Sequence, residues 1–137
     1  MAVFDLPVSG ETGAALAWAP SSRASEGWCA AAANWLQALG FAPQRIADAP
    51  GLVVARTLAM LINEAADAVQ QGVCTPEGAD AAMKLGVNYP AGPFEWLAQW
   101  EARNVIGCLD ALDAYYRGER YRASPWLRQR AWQEGVQ

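Results

Sequence analysis

Arg56 and the Gly92-Pro93 pair are the residues of this chain best suited to meet a ligand. Arg56 sits one turn inside a long apolar segment that begins at Leu52. A guanidinium in such surroundings needs a carboxylate, carbonyl or phosphate partner, because burying it unpaired is costly. That partner is a carboxylate of the same domain, a ligand's carboxylate, thioester or phosphate, or a group across an interface. Gly92 lets a backbone approach a neighbour or a ligand closely, and Pro93 sets the start of the next helix. The same two residues equally serve a tight helix–helix turn. Glu64, Asp67 and Glu95 are capable of acid–base work, but no spacing singles out a pair, so helix-surface or capping roles are expected. Trp96, Trp100, Trp126 and Trp132 either line an apolar pocket or pack in the core or an interface. Asp110, Asp113, Arg117, Glu119, Arg120 and Arg122 alternate in sign, as a solvated face or an interface rim does.

Other chemistries lack their residues. The chain has no histidine, which removes the commonest base for alcohol oxidation and any histidine-based metal site. No Gly-x-Gly-x-x-Gly follows a first strand; Gly10, Gly13 and Gly27 do not have that spacing. Independent NAD binding is therefore not expected. Cys29, Cys74 and Cys108 are widely spaced, which suggests reduced thiols in a cytoplasmic protein and neither a zinc site nor a disulfide framework. The net charge of −4 speaks against nonspecific nucleic-acid binding. No apolar run has bilayer length and no signal segment opens the chain, so no membrane partner is expected.

The elements that must carry these residues fall into two textures. Ala14–Ala19 reads as a buried strand, and about Ala24–Leu39 as a helix stopped by Gly40. Trp28, Ala32, Trp35 and Leu39 make one apolar stripe on that helix. Gln44–Ala47 reads as a further strand, and residues 3–8 as another. From Gly51 onward everything is helical. Leu52–Gln71 is the longest periodic segment, with Val54, Leu58, Leu61, Ala65 and Val69 on one face and Arg56, Asn63, Asp67 and Gln70 on another. Its apolar first half predicts a central helix packed on several sides. Gly72 ends it. Thr75-Pro76 and Ser124-Pro125 are cap-then-proline starts. The first opens a helix that Gly86 ends, and the second a last helix over about Pro125–Glu134. Between them, helices are predicted from near Pro93 and over about Arg103–Tyr116.

Three motifs in order carry a resemblance: Pro50-Gly51-Leu52-Val53-Val54-x-Arg56; Asn63-Glu64-Ala65 with Gly72-Val73 and Thr75-Pro76; and Asp80-x-Ala82-Met83-Lys84-Leu85-Gly86 with Tyr89-Pro90-x-Gly92-Pro93-Phe94-Glu95. Together, residues 49–123 resemble the C-terminal helical domain of the 3-hydroxyacyl-CoA dehydrogenases. The ending Glu119-Arg120-Tyr121-Arg122, Ser124-Pro125 and Leu127-Arg128 is similar to the aromatic-catabolic members, which act on hydroxyadipyl-CoA-type substrates. The resemblance implies a mainly α fold of the type shared with the 6-phosphogluconate dehydrogenase C-terminal domain. It implies NAD as the parent enzyme's cofactor, a dimer contact, and one wall of an acyl-CoA cleft. In the family an Asn just before the matched Arg assists a catalytic His of the nucleotide domain. Here that position is Ala55, whose methyl group cannot take the role. Long members carry a second helical copy behind a shrunken Rossmann remnant, which residues 1–48 resemble.

The expectation is thus a strand–helix–strand α/β remnant over 1–48 and a helical domain over 49–137. The chain is expected to be a noncatalytic module of an NAD-dependent dehydrogenase of fatty-acid or phenylacetate-type acyl-CoA oxidation. It would have no catalytic, cofactor or metal residues, and Arg56, Gly92 and Pro93 would be its substrate contacts. Its partner would be a second helical domain, as homodimer or pseudo-dimer. The rival expectation is a stand-alone acyl-CoA-binding module, or one that completes a partner's active site.

Overall fold

The computed structural model describes residues 1–7 and 11–135. Position 8, at the end of the strand predicted over 3–8, lies outside the described residues. The chain divides into two compact units, Met1–Ala55 and Arg56–Gln137.

The first unit is a three-stranded sheet with one helix. Strands β1 (Ala2–Phe4), β2 (Ala15–Pro20) and β3 (Ala42–Arg45) lie in that order, β1 antiparallel and β3 parallel to β2. Pro43, which has no N–H, is accommodated because β3 is an edge strand. Helix α1 (Glu26–Ala38) forms the crossover; the Ser25 hydroxyl accepts the Trp28 N–H at its start. Gly40 (φ 92°) ends it, and Phe41 N–H reaches back to the Leu36 carbonyl, the Schellman closure that Gly40 predicted. The core holds Leu16 and Trp18 of β2 against Cys29 and Leu36 of α1. The apolar stripe of α1 is not that buried face: Trp28, Trp35 and Leu39 are 42%, 63% and 55% exposed. A sheet this narrow covers one strip of the helix, and small residues beside Cys29 and Leu36 give the closest fit.

Asp5 closes this unit. Its carboxylate is buried and accepts four backbone N–H groups: Leu6 (2.9 Å), Val53 (2.8 Å), Val54 (2.6 Å) and Ala55 (3.0 Å). The last three belong to the turn that opens helix α2 (Val54–Gln70), so Asp5 caps a helix 48 or more residues along the chain. Gly51 and Leu52 immediately before it are both left-handed, with φ 68° and 42°. For Leu52 this costs about 1–2 kcal/mol, which burial of its side chain offsets.

The second unit is all helix: α2, α3 (Pro76–Val87), α4 (Pro93–Trp100), α5 (Ala102–Tyr116), a 3-10 turn (Glu119–Tyr121) and α6 (Pro125–Glu134). Thr75 and Ser124 cap α3 and α6 through their hydroxyls, each ahead of a proline. Helix α3 runs through Gly86 and stops at Asn88, which takes the left-handed conformation (φ 57°) a glycine was expected to supply. The core joins Ala59, Ile62 and Ala66 of α2 to Leu97, Val105, Leu109 and Leu127. Each large member stabilises the unit by roughly 1.5–3 kcal/mol.

Two expectations for α2 need correction. Its buried positions are Ala59, Ile62, Asn63 and Ala66, while Leu58 and Leu61 are only half-buried, so it is not enclosed on several sides. Asn63, assigned above to the polar face, is 2% exposed. Its amide donates to the Arg122 carbonyl (3.0 Å) and accepts the Ser124 N–H (2.8 Å). It thereby pins the segment that leads into α6.

Candidate functional site

Residues three and four apart on a helix share a side, and this spacing brings Arg56, Met60 and Glu64 together along α2. With Thr57, Leu61 and, from the 3-10 turn, Arg120 and Tyr121, they line a cleft of about 310 Å³. At about 100° per residue, α2 presents three adjacent sectors. One holds the buried residues, one the cleft, and the third Val54, Leu58, Ala65 and Val69.

Arg56 does not find the carboxylate expected of it. Its guanidinium donates to the hydroxyls of Tyr116 (3.2 Å) and Tyr121. It also lies over both rings, 4.9 Å and 5.2 Å from their centroids. The quadrupoles of these two rings, tilted 39° to each other, take the place of an anion. Among the described residues no carboxylate lies within ion-pair distance of Arg56 or of Arg120. Tyr116 and Tyr121 were not singled out in the sequence; no local spacing ties them to Arg56, some sixty residues earlier.

Gly92 and Pro93 are not among the residues lining this cleft. Both are buried at the start of α4. The close approach that Gly92 permits is to Asp80 of α3: a Cβ on Gly92 would stand 2.3 Å from the Asp80 carboxylate. That carboxylate accepts the Phe94 N–H at 2.7 Å, acting as the cap that a glycine cannot provide. Glu95 reaches back to the Gly92 N–H (2.9 Å) and pairs with Lys84. Lys84, then the Gly92 N–H, hold the Glu95 carboxyl below the ordinary carboxylate range. Asp80 and Gly92 are one structural device, and neither sequence position alone signals the other.

Ala55 carries only a methyl group beside its N–H, which Asp5 takes. A groove of about 410 Å³ in the first unit, between Phe4, Trp18, Trp28 and Trp35, is walled by apolar surface without a charged group to orient a ligand. Among the described residues no set of three His, Cys, Asp or Glu could hold a metal ion, and no helix is long and apolar enough to cross a membrane. The cleft at Arg56 thus sets two guanidiniums and the Glu64 carboxylate around the apolar side chains of Met60 and Leu61.

Comparison with known proteins places these features. Residues 51–135 match the family model described as 3-hydroxyacyl-CoA dehydrogenase, C-terminal domain, and residues 1–50 match the 3-hydroxybutyryl-CoA dehydrogenase reduced Rossmann-fold domain. The 3-hydroxyadipyl-CoA dehydrogenase of Escherichia coli K12 is 48% identical over 97 residues, covering 71% of this chain and 20% of that protein. A probable 3-hydroxybutyryl-CoA dehydrogenase of Deinococcus radiodurans is 40% identical over 93 residues, 66% of this chain and 32% of that protein. The crystal structure of 3-hydroxybutyryl-CoA dehydrogenase from Escherichia coli K12 superposes with a TM-score of 0.89 at 39% identity, over 98% of this chain and 28% of that one. That of (S)-3-hydroxybutyryl-CoA dehydrogenase from Ralstonia eutropha gives 0.78 at 28% identity, over 85% and 41%. The chain thus spans between a fifth and a third of the length of these two curated relatives.

Proposed function

The chain belongs to the 3-hydroxyacyl-CoA dehydrogenase family, and on that premise we propose that it is a noncatalytic C-terminal module of an NAD-dependent enzyme of that kind. It walls the acyl-CoA cleft and packs against a second helical domain, either another copy or a homologous domain in one polypeptide. Residues 1–48 serve as the reduced Rossmann remnant and 49–137 as the helical domain. The protein works in the cytoplasm. One observation carries the reading: almost the whole chain superposes on little more than a quarter of a dehydrogenase, yet it has no histidine and has alanine where the family places its assisting Asn.

Arg56 is the proposed substrate contact. Gly92 and Pro93 contribute by shaping the α3–α4 elbow that frames the same domain. The association surface is the sector of α2 bearing Leu58, Ala65 and Val69, next to the cleft and away from the core. An obligate twofold contact of this type buries on the order of 2,000 Å². A second reading, a stand-alone acyl-CoA binder or partner-activating module, is favoured by one feature: the cleft is formed entirely by residues of the second unit.

The test is purified chain, assayed for NAD-dependent oxidation of 3-hydroxybutyryl-CoA and sized by light scattering. No turnover and a dimer are expected, with Leu58→Asp giving monomer or unfolding. Turnover above a contamination control overturns the noncatalytic assignment. A well-folded monomer of the unmodified chain at micromolar concentration moves the association into a parent polypeptide and removes the homodimer.

A further inference from the structure

We propose that the apolar groove of the first unit is completed by a second copy of this chain, which pairs with the free edge of β1 so that the partner's Phe4 fills the groove. This goes beyond the acyl-CoA reading and uses neither the Arg56 cleft nor the α2 sector assigned above to association.

The two edges of the sheet differ. On the inner side of β1 the Ser21 N–H donates to the Met1 carbonyl and the Asp5 N–H to the Ala17 carbonyl, both at 2.9 Å. Alternation along an antiparallel ladder then turns the N–H and C=O groups of Ala2 and Phe4 outward. Strand β1 ends the sheet, so among the described residues no strand takes them. Natural sheets blunt such an edge with proline, charge or a bulge. The opposite edge is blunted, because β3 contains Pro43 and ends on Arg45. Strand β1 reads Ala-Val-Phe and has none of these devices.

The pattern of β1 is complementary to itself. In a twofold antiparallel pair centred on Val3, Ala2 stands opposite the partner's Phe4, and Phe4 opposite the partner's Ala2. Both are hydrogen-bonded pairs, each exchanging two N–H···O bonds. Phe4 is paired across the ladder with Trp18, which packs on α1, so Phe4 and Ala2 share that face of the sheet. The groove of about 410 Å³ opens on the same face, beside the small side chain of Ala2 and between it and Trp28 and Trp35. A ring set opposite Ala2 enters that space.

The area agrees with this occupant. Phe4, Trp28 and Trp35 are 64%, 42% and 63% exposed. At 150–250 Å² for a buried aromatic side chain, covering them in two copies removes roughly 500–800 Å² from water. With Met1 and Val3, also exposed, the total is about 1,000 Å², where specific contacts begin. No charged side chain lines the groove, so closing it buries no unpaired ion.

A contact of this size is weak, so it is better trapped than weighed, and the twofold axis at Val3 supplies the trap. Residues facing each other in a non-hydrogen-bonded antiparallel pair have Cα atoms about 4.5 Å apart, within disulfide reach. The full chain carrying Val3→Cys, oxidised with glutathione disulfide, is expected to form a covalent dimer at least tenfold faster than Ala30→Cys. At about 100° per residue, Ala30 lies on the side of α1 away from the groove. The unmodified chain, with Cys74 and Cys108 half-buried, sets the background. Phe4→Glu and Trp35→Ala, both at exposed positions, should each lower the Val3→Cys rate to that of Ala30→Cys, in material whose thermal melt matches Val3→Cys alone. A Val3→Cys rate no greater than that of Ala30→Cys overturns the proposal, and so does a fast rate that either added substitution leaves unchanged. In Val3→Cys protein that also carries Leu58→Asp and stays folded, the rate should not change. A loss there assigns the contact to α2 and overturns the strand pairing, so the two contacts fail separately.

Discussion

Replacing Asp5 by asparagine separates two views of the capping of α2. As an N-cap residue in general, Asn serves as well as Asp, and the change would be nearly silent. The structure predicts otherwise, because both oxygens are in use. One accepts Leu6 and Ala55, the other Val53 and Val54. An amide keeps one oxygen and turns an NH₂ group toward two N–H donors. At about 1 kcal/mol for each amide left without an acceptor, the loss is about 2 kcal/mol, and Asp5→Ala, which strips all four, loses about 4 kcal/mol. For a chain of this length the Asn variant should melt roughly 6–8 °C lower. Urea denaturation gives the free energies. Native-state hydrogen exchange should rise at both Val54 and Ala55 in Asp5→Ala and at one of the two in Asp5→Asn, because they bind different oxygens of the carboxylate. An Asp5→Asn protein within about 0.5 kcal/mol of the unmodified chain, with Val54 and Ala55 still protected, would refute the four-bond description.

Three further outcomes follow. Gly92→Ala should cost about 2–4 kcal/mol, since its Cβ collides with Asp80 and breaks the Phe94 cap; Gly86→Ala, with open space around it inside α3, should gain up to about 1 kcal/mol, both read by thermal melts. Asn63→Ala should cost about 2–4 kcal/mol by leaving the Arg122 carbonyl and Ser124 N–H unpaired in a buried site, and a loss below about 1 kcal/mol in urea would show that water replaces the amide. Because the Glu95 carboxyl is depressed by Lys84 and the Gly92 N–H, its stabilisation is complete above the ordinary carboxylate range and is lost as pH falls through the lower folded value; the melting-temperature gap to Glu95→Gln should be full at neutral pH and close in acid, and a gap unchanged down to about pH 3 contradicts this.

What was legible in the sequence was local. Thr75-Pro76, Ser124-Pro125 and Gly40 act within one turn of themselves, and the helices they bound lie where they predicted. Gly86 misled because Asn88, two residues on, can also take a left-handed conformation and ends α3 there. Periodicity found the stripe of α1 but not its direction, since Trp28 and Cys29 are neighbours in sequence and only the sheet decides which turns inward. Of the site, Arg56 was visible as a cation in apolar surroundings. Its tyrosine partners, the Asp5 clamp and the Asn63 pin all join residues about fifty or more apart. No spacing rule reaches that far.

The Asp5 clamp also bears on how such a protein can be recombined. The two matched family segments meet between residues 50 and 51. The carboxylate of Asp5 lies before that joint and three of the amides it holds lie after it. A chimera spliced there from two relatives inherits the acceptor from one parent and the donors from the other. It keeps the clamp on its first helical turn only when the donor of the opening segment supplies an aspartate at that place. The natural joint for a transplant is therefore past residue 55, where the carboxylate and the amides it holds travel together.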